Sequence, residues 1–147
     1  MIFPGNVSWP SSAVTVKVPA HPDFVASIRA MSRSMAVLAD LALEDAEELQ
    51  MAVDEAAILL LPLLRGADGA HSDASTDADP QMLTATFEVD EGCVGFELSA
   101  PCAEGSAVDR TGLPWMMLTA IDSDVSVRPD GDVIAIAVTR RREGTLS

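Results

Sequence analysis

Basic residues are scarce in this chain. Nine lysines and arginines stand against 23 aspartates and glutamates in 147 residues, which gives a formal net charge of −14 at pH 7. An acidic surface repels nucleic-acid phosphates, so the composition argues against direct binding of DNA or RNA. The charge is compatible with a basic protein partner, and equally with high solubility or a biased genome. Lys17 is the only lysine and tyrosine is absent, as expected of a GC-rich coding sequence.

Membrane, export and metal-binding signals are also missing from the sequence. No apolar run approaches the ~20 residues that a bilayer-spanning helix needs. The N-terminal segment MIFPGNVSWPSS has no basic start followed by an apolar core, so we expect no signal peptide and a cytoplasmic protein. In that compartment Cys93 and Cys102 should be free thiols. With His21 and His71 they are too few and too scattered for a zinc site, so we expect no metal.

The familiar motifs of nucleotide and hydrolase chemistry are absent as well. Neither GxxxxGK[ST] nor GxGxxG occurs, so a P-loop or a Rossmann phosphate cradle is unsupported. No GxSxG is present, and neither histidine lies in a recognisable nucleophile–base context. The hydrophobic fraction is nevertheless 48%, which at this length predicts one globular domain with a substantial core.

The chain is organised around one long amphipathic pattern at Leu43–Leu64. Its apolar residues recur at the spacing of one helical face: Ala46, Leu49, Val53, Ala56, Leu60 and Leu64. Carboxylates crowd the first turns, where the helix dipole favours negative charge. Asp54 and Glu55 form the adjacent carboxylate pair best placed for chemistry, which makes Glu55 a candidate catalytic residue. Pro62 predicts a kink or an early stop because it lacks an N–H.

The other elements are predicted from alternation, helical spacing and turn residues. The first helix should begin at Asp23 or the residue before it and bury one stripe, Phe24, Ile28, Met31, Met35 and Leu38. A third helix is predicted at Leu113–Ile121. The predicted strands are Ala13–Val18, a hairpin of Met82–Val89 and Cys93–Ser99, and a second hairpin of Asp124–Val127 and Asp132–Thr139 with Asp-Gly in its turn.

Three segments are predicted to lie outside the packed domain. They are a flexible N-terminal arm at residues 1–12, a mobile acidic loop at residues 66–80 and a polar tail at residues 143–147. Residues 13–142 then follow the order β-α-α-β-β-α-β-β. This order predicts a single domain of the α/β class, more narrowly an α+β two-layer sandwich with a mixed or antiparallel sheet and its helices on one face.

The order of elements, with MAVDEA on the second helix, resembles the RsbW-type anti-sigma factors. These are serine-protein kinases of the GHKL (histidine-kinase-like) ATPase superfamily. The resemblance runs from about Val14 to Arg140, through VKVPAHPDFVASIRA, LEDAEELQMAVDEA and TGLPWMMLTAIDSDVSVRPDGDVIAIAVTR. The nearest branch is the actinobacterial UsfX-type anti-sigma factor, which is similar in its AVDE helix and its W..LTA...DV segment.

The nucleotide motifs that this resemblance implies are only partly present on the central helix. Glu55 matches the family's glutamate, which acts as a base or orients the nucleophile. The asparagine that holds Mg²⁺ four residues later falls at Leu59, and a histidine often found one turn further falls at Leu63. Leucine has no oxygen to offer a hard cation.

The adenine and phosphate motifs of the family are also altered. The Asp-x-Gly that reads adenine falls at Ala100–Cys102 by our alignment, so neither residue is kept. In the Gly-x-Gly-Leu that binds phosphate, Gly112 remains, but Pro114 replaces the second glycine and removes an N–H donor. Together these losses predict a degenerate nucleotide site with millimolar or weaker affinity for ATP. We therefore expect no bound cofactor, and we interpret Glu55 as vestigial.

The resemblance predicts an anti-sigma factor that sequesters a sigma factor by binding, with its kinase chemistry weak or lost. By the same resemblance, Arg29 and Arg33 on the first helix, with adjacent apolar positions, are the predicted contact residues. Arginine suits such a site because its planar fork pairs bidentately with carboxylates. The plainer interpretation of the two arginines is a solvated face paired with nearby carboxylates. A STAS-type anti-anti-sigma factor and a second copy of the chain are further expected partners. Two alternatives stay open: an active ATP- and Mg²⁺-dependent serine kinase that phosphorylates the STAS protein, and a GHKL-derived scaffold for an unrelated partner.

Overall fold

The structure, a computed structural model, describes residues 13–65 and 81–142. The predicted arm, acidic loop and tail lie outside the described residues. Within these ranges the chain forms five strands and three α-helices. They are β1 (Ala13–Pro19), α1 (Pro22–Leu38), α2 (Leu43–Leu60), β2 (Met82–Asp90), β3 (Cys93–Pro101), α3 (Leu113–Ile121), β4 (Ser126–Asp130) and β5 (Val133–Arg141).

The strands form one sheet in the order β1-β2-β3-β5-β4. Every neighbouring pair is antiparallel, so the sheet is purely antiparallel rather than mixed. The three helices pack on one face of it, which confirms the predicted α+β two-layer sandwich. Within the described residues, no helix is both long and apolar enough to cross a membrane.

The core lies between the helices and one face of the sheet. Strand β2 alternates strictly between buried and half-buried residues, as expected of a strand with one face covered. Phe87 of β2 lies directly opposite Phe96 of β3, and their ring centroids are 5.1 Å apart. The next strand adds buried residues on the same face: Ile134, Ile136 and Val138.

Helix α2 buries the face that its sequence predicts. Ala46, Leu49, Val53, Ala56 and Leu60 are all buried, while Leu64 is half-buried just beyond the helix. The helix ends at Leu60, and a 3₁₀ turn over Leu61–Leu63 contains Pro62. The early stop at the proline is therefore confirmed.

Helix α1 is rotated relative to the predicted stripe. Ile28 and Met35 are buried as expected, but Phe24 and Leu38 are exposed. Val25, Ser32 and Ala36 are buried instead. Because α1 packs against α2 as well as the sheet, its small residues on the α2 side are covered, and the outer edge of the predicted stripe is left in solvent.

The two strands of the second hairpin begin two residues and one residue later than predicted. The Asp122 carboxylate accepts the backbone N–H of Asp124 at 2.8 Å and that of Thr139 at 2.7 Å. These bonds hold the segment after α3 as a turn, so β4 begins at Ser126 rather than Asp124. At the other end Asp130 pairs with Val133, which makes the turn Gly131-Asp132 instead of Asp130-Gly131. Gly131 has φ of 65°, a conformation that glycine adopts without strain.

Candidate functional site

A seam of polar contacts joins α1 to α2 and contains both predicted partner-binding arginines. The Arg29 guanidinium donates through Nη1 to Asp54 Oδ1 at 2.5 Å. The Gln50 amide donates to the Arg29 carbonyl at 3.4 Å and accepts from Arg33 Nη1, also at 3.4 Å. Arg29 therefore has the nearby carboxylate that the plainer interpretation of the sequence expected, whereas Arg33 contacts only an amide among the described residues.

The pairing of Arg29 leaves most of its donor groups unused. A guanidinium carries five N–H donors in a planar fork. Among the residues that the structure describes, Nη1 is the only guanidinium nitrogen of Arg29 with a hydrogen bond. The side chain is 39% exposed and Arg33 is exposed one helical turn away. The seam therefore presents two cations, each able to donate hydrogen bonds to an external carboxylate.

Glu55, the candidate catalytic residue, lies half-buried on the side of α2 away from this seam. Partial burial, and secondarily the negative charge of Asp54, raise the pKa of its carboxyl group. Among the described residues its carboxylate makes no hydrogen bond or ion pair. A general base acts on a group that is bound within hydrogen-bond reach. The residues at the other motif positions therefore decide whether a nucleotide and its metal could bind near Glu55.

The positions that would carry the Mg²⁺ and adenine contacts are apolar. Leu59 is buried in the hydrophobic core and Leu63 packs against it. Ala100 and Cys102 at the end of β3 are buried in the same cluster. The Cys102 thiol donates to the Ala100 carbonyl at 3.4 Å, and burial raises the pKa of this thiol and of Cys93. Both cysteines are free, as predicted.

The N-terminus of α3, where the resemblance places phosphate, has a carboxylate beside it. Gly112 caps the helix, and Pro114 lies in the first turn without an N–H to donate. A Cβ added to Gly112 would lie 3.3 Å from Asp109 Oδ2. The Asp109 carboxylate accepts the hydroxyl of Thr111 at 2.6 Å and its backbone N–H at 2.9 Å, and these bonds lower the pKa of Asp109. The positive end of the helix dipole is thus already matched by a negative charge.

A buried ionic cluster, which the sequence did not single out, fixes the other end of α2. Asp45 is 1% exposed and accepts Nε and Nη2 of Arg140 at 2.9 and 2.7 Å. The same guanidinium contacts Glu48 at 3.0 Å and donates to the Ile121 carbonyl at 3.1 Å. One arginine on β5 therefore ties the start of α2 to the end of α3, so these two helices run antiparallel. The signal in the sequence was the position of Arg140 on the core face of β5, in step with Val138.

A cavity on the described surface does not coincide with the candidate residues. It measures about 560 Å³ and lies at the edge of the sheet, beside Cys102, Ile134 and the turn between β4 and β5. The ion pair between Arg65 and Asp132 lines one side of it. Glu55, Gly112, Arg29 and Arg33 are not among its lining residues. In residues 13–65 and 81–142, no group of three histidines, cysteines or carboxylates is arranged to hold a metal ion.

Comparison with known proteins supports the fold. No protein-family model and no curated protein sequence matches this chain. Its structure is similar to the crystal structure of the RsbU and RsbW domains of Rv1364c from Mycobacterium tuberculosis, with a TM-score of 0.62 and 14% sequence identity. The similarity covers 90% of this chain and 33% of that one, so the chain spans about a third of its neighbour's length. At this identity the comparison shows the fold alone, and the fold is the α+β two-layer sandwich that the sequence predicted.

Proposed function

We propose that this protein regulates transcription as an RsbW-like anti-sigma factor, by binding a sigma factor rather than by phosphorylating a substrate. The observation that carries the proposal is the Arg29–Asp54 seam on an RsbW-like fold. Arg29 is oriented by one bond to Asp54 and keeps its other donors exposed. With the sigma factor bound at this seam, the protein covers a sigma-factor surface that core RNA polymerase needs.

The outer surface of α1 suits an acidic partner segment. Arg29 and Arg33 lie one turn apart, so two carboxylates spaced by one turn on a partner helix match both cations. Arginine binds carboxylates with a fixed bidentate geometry, which gives register as well as affinity. Val37 continues the same side of α1 and is exposed, which adds an apolar contact at the end of the basic pair. The basic surface is local, because the chain as a whole is strongly acidic.

A degenerate nucleotide site supports binding over catalysis. Leu59 and Leu63 offer no metal ligand, Ala100 and Cys102 are packed in the core, and Asp109 brings negative charge to the start of α3. Each lost hydrogen bond to a charged group removes ~1.5–3 kcal/mol. Several such losses place ATP affinity at millimolar or weaker, so we describe the chain as a pseudokinase in which Glu55 is vestigial and Gly112 a remnant of the phosphate loop.

The proposed partners follow from the same surface. A STAS-type anti-anti-sigma factor that covers Arg29 and Arg33 would release the sigma factor by competition. A homodimer through β1 and α1 would place two such surfaces in one particle. Both partners, and the cytoplasmic setting in which they meet, are part of the proposal.

One observation favours a second candidate function. The pKa of Glu55 is raised, as it is in general bases tuned for catalysis near neutral pH. An active serine kinase would use Glu55 on the hydroxyl of a STAS-type substrate, with ATP and Mg²⁺ held by ligands other than those of the family motif. Phosphate transfer to such a protein at micromolar ATP would establish this function and remove the binding-only proposal.

Affinity capture from a native extract, followed by mass spectrometry, tests the proposed function. The bait is the full chain, compared with Arg29→Glu and with Arg128→Glu as a matched control. Arg128 is exposed on β4, far along the sheet from α1, and pairs with Glu97 at 2.8 Å. We expect the unmodified chain and Arg128→Glu to capture a sigma factor, and Arg29→Glu to capture much less of it. Absence of any sigma factor from the unmodified bait contradicts the proposal, and equal capture by all three baits moves the interface away from Arg29.

A further inference from the structure

The outward surface of α2 combines carboxylates with exposed apolar side chains. Glu44, Glu47, Met51, Glu55 and Ile58 follow each other at helical spacing along it. Met51 is 37% exposed and Ile58 is 52% exposed. Over its whole length, Leu43–Leu60, the helix has no lysine or arginine. Its surface therefore carries carboxylates and apolar side chains but no cationic side chain.

The cations of the described residues do not neutralise this surface. Arg29 contacts Asp54 on one flank of α2, and Arg140 contacts Asp45 and Glu48 near its start. Glu44, Glu47 and Glu55 make no ion pair with any part of the chain that the structure describes. Glu44 and Glu47 are exposed three residues apart and repel each other, and the half-buried Glu55 lies further along the same side of the helix.

Helix α3 extends the apolar part of this surface. Leu113 is 66% exposed and Met116 is 60% exposed, and both point outward because Leu118 and Ile121 occupy the buried side of α3. Arg140 ties the end of α3 to the start of α2, and the two helices pack side by side, so we treat their exposed sides as one surface. We call this surface the α2–α3 face, and it consists of Glu44, Glu47, Met51, Glu55, Ile58, Leu113 and Met116.

Because this face is acidic and apolar, a cationic amphipathic segment complements it in charge and in hydrophobicity. We infer that the α2–α3 face docks a cationic amphipathic helix of a partner protein. Lysines or arginines of the partner helix pair with the α2 carboxylates, and its apolar stripe packs on the exposed methionines, Ile58 and Leu113. Methionine suits such a surface because its flexible, polarizable side chain adapts to the helix that binds. Exposed apolar side chains gathered at one place commonly mark an interaction site.

The alternative occupants fit the charge poorly. A second copy that docked through the same face would set two acidic faces against each other, and an anionic membrane surface would be repelled by the same carboxylates. A cation beside Glu55 would also offset the burial and the Asp54 charge that raise the pKa of this carboxyl. The face has the opposite charge to the Arg29 and Arg33 surface, so it selects a different segment and does not depend on the proposed function.

A synthetic amphipathic helix of about 18 leucines and lysines is the probe for this inference, and the same helix with glutamates for lysines is its control. Binding to the full chain is measured by fluorescence anisotropy, and the site is mapped by NMR shifts of backbone amides. We expect saturable binding of the lysine helix with shifts confined to α2 and α3. The glutamate helix should not bind.

Two double variants with the same change in net charge locate the site. Glu47→Lys with Glu55→Lys should lower the affinity for the lysine helix by about tenfold or more. Glu91→Lys with Glu104→Lys, in the exposed loops after β2 and β3, should change its affinity by less than about twofold. Equal losses in both double variants, or NMR shifts centred elsewhere, overturn the inference. Arg29→Glu should leave binding of the helix unchanged, so failure here and failure of the proposed function are distinguishable.

Discussion

Nη1 of Arg29 on α1 lies 2.5 Å from Oδ1 of Asp54 on α2, and both side chains are 39% exposed. This contact orients a cation at the surface without burying it. Because exposed pairs exchange partners readily, a carboxylate from another protein can share the guanidinium or displace Asp54. The pair is therefore the structural basis of the proposed sigma-factor site, and Asp54 is the internal competitor of the partner.

Removing that competitor should strengthen partner binding. Asp54→Asn keeps the shape of the side chain and removes its negative charge, so Arg29 is left for the partner and repulsion of the incoming carboxylate falls. We expect the free energy of unfolding to drop by less than about 1 kcal/mol. Affinity for the captured sigma factor should rise, as measured by anisotropy. Asp132→Asn, which breaks the exposed pair with Arg65 at the far edge of the sheet, is the control and should leave affinity unchanged.

The buried ionic cluster should matter far more for stability. Arg140→Met leaves the carboxylate of Asp45, which is 1% exposed, without its guanidinium. Removing one member of a buried pair costs about 3–5 kcal/mol, because the remaining charge stays desolvated. Arg128→Met, which breaks an exposed pair with Glu97, should cost less than about 1 kcal/mol. Urea unfolding of the two variants measures both values, and similar losses would mean that the cluster does not hold α2, α3 and β5 together.

Glu55 should lower stability at neutral pH. Its pKa is raised in the folded protein, so the folded state binds the proton more tightly than the unfolded state does. Stability from this group is therefore gained as pH falls through the folded pKa, and its charged form is unfavourable above that pKa. Glu55→Gln should raise the free energy of unfolding at pH 7, and the gain should vanish in acid. Glu47→Gln, on the same helix and exposed, controls for the change in net charge; an equal gain there would contradict the assignment.

Nucleotide should contribute little to stability. A ligand that binds the folded state adds RT ln(1 + [L]/Kd) to the free energy of unfolding. With a Kd of about 1 mM or weaker, about 1 mM Mg–ATP adds less than about 0.5 kcal/mol. The midpoint of thermal unfolding should therefore hardly move. A saturating shift at micromolar ATP would show an intact site and favour the serine-kinase alternative.

The elements with a single covered face were predictable from sequence. The period of α2 identified its buried side correctly, because one face meets the core and the other meets solvent. Helix α1 was assigned a stripe rotated from the observed one, since the sequence pattern could not show that α2 would cover Ser32 and Ala36. The start of β4 was missed because the side chain of Asp122 caps two backbone groups, a local competition that alternation does not reveal.

The sequence predicted individual residues of the candidate site but not the contacts between them. Arg29, Arg33 and Gly112 came from the family resemblance, Glu55 came from its carboxylate pair with Asp54 as well as from the resemblance, and the roles of all four stay predictions. The pairing of Arg29 with Asp54 joins residues from two helices and depends on how those helices pack. The Asp109 carboxylate at α3 was missed for a different reason: its bonds to Thr111 form a short turn just before the helix, within a segment read only as a loop.

The proposed nucleotide-independent binding is tested most directly by the affinity of the purified chain for the captured sigma factor in the absence of nucleotide. We predict saturable binding that Mg–ATP does not change and that Arg29→Glu weakens by about tenfold or more. Arg128→Glu should bind as the unmodified chain does. Binding that requires Mg–ATP, or that Arg29→Glu leaves intact, would contradict it.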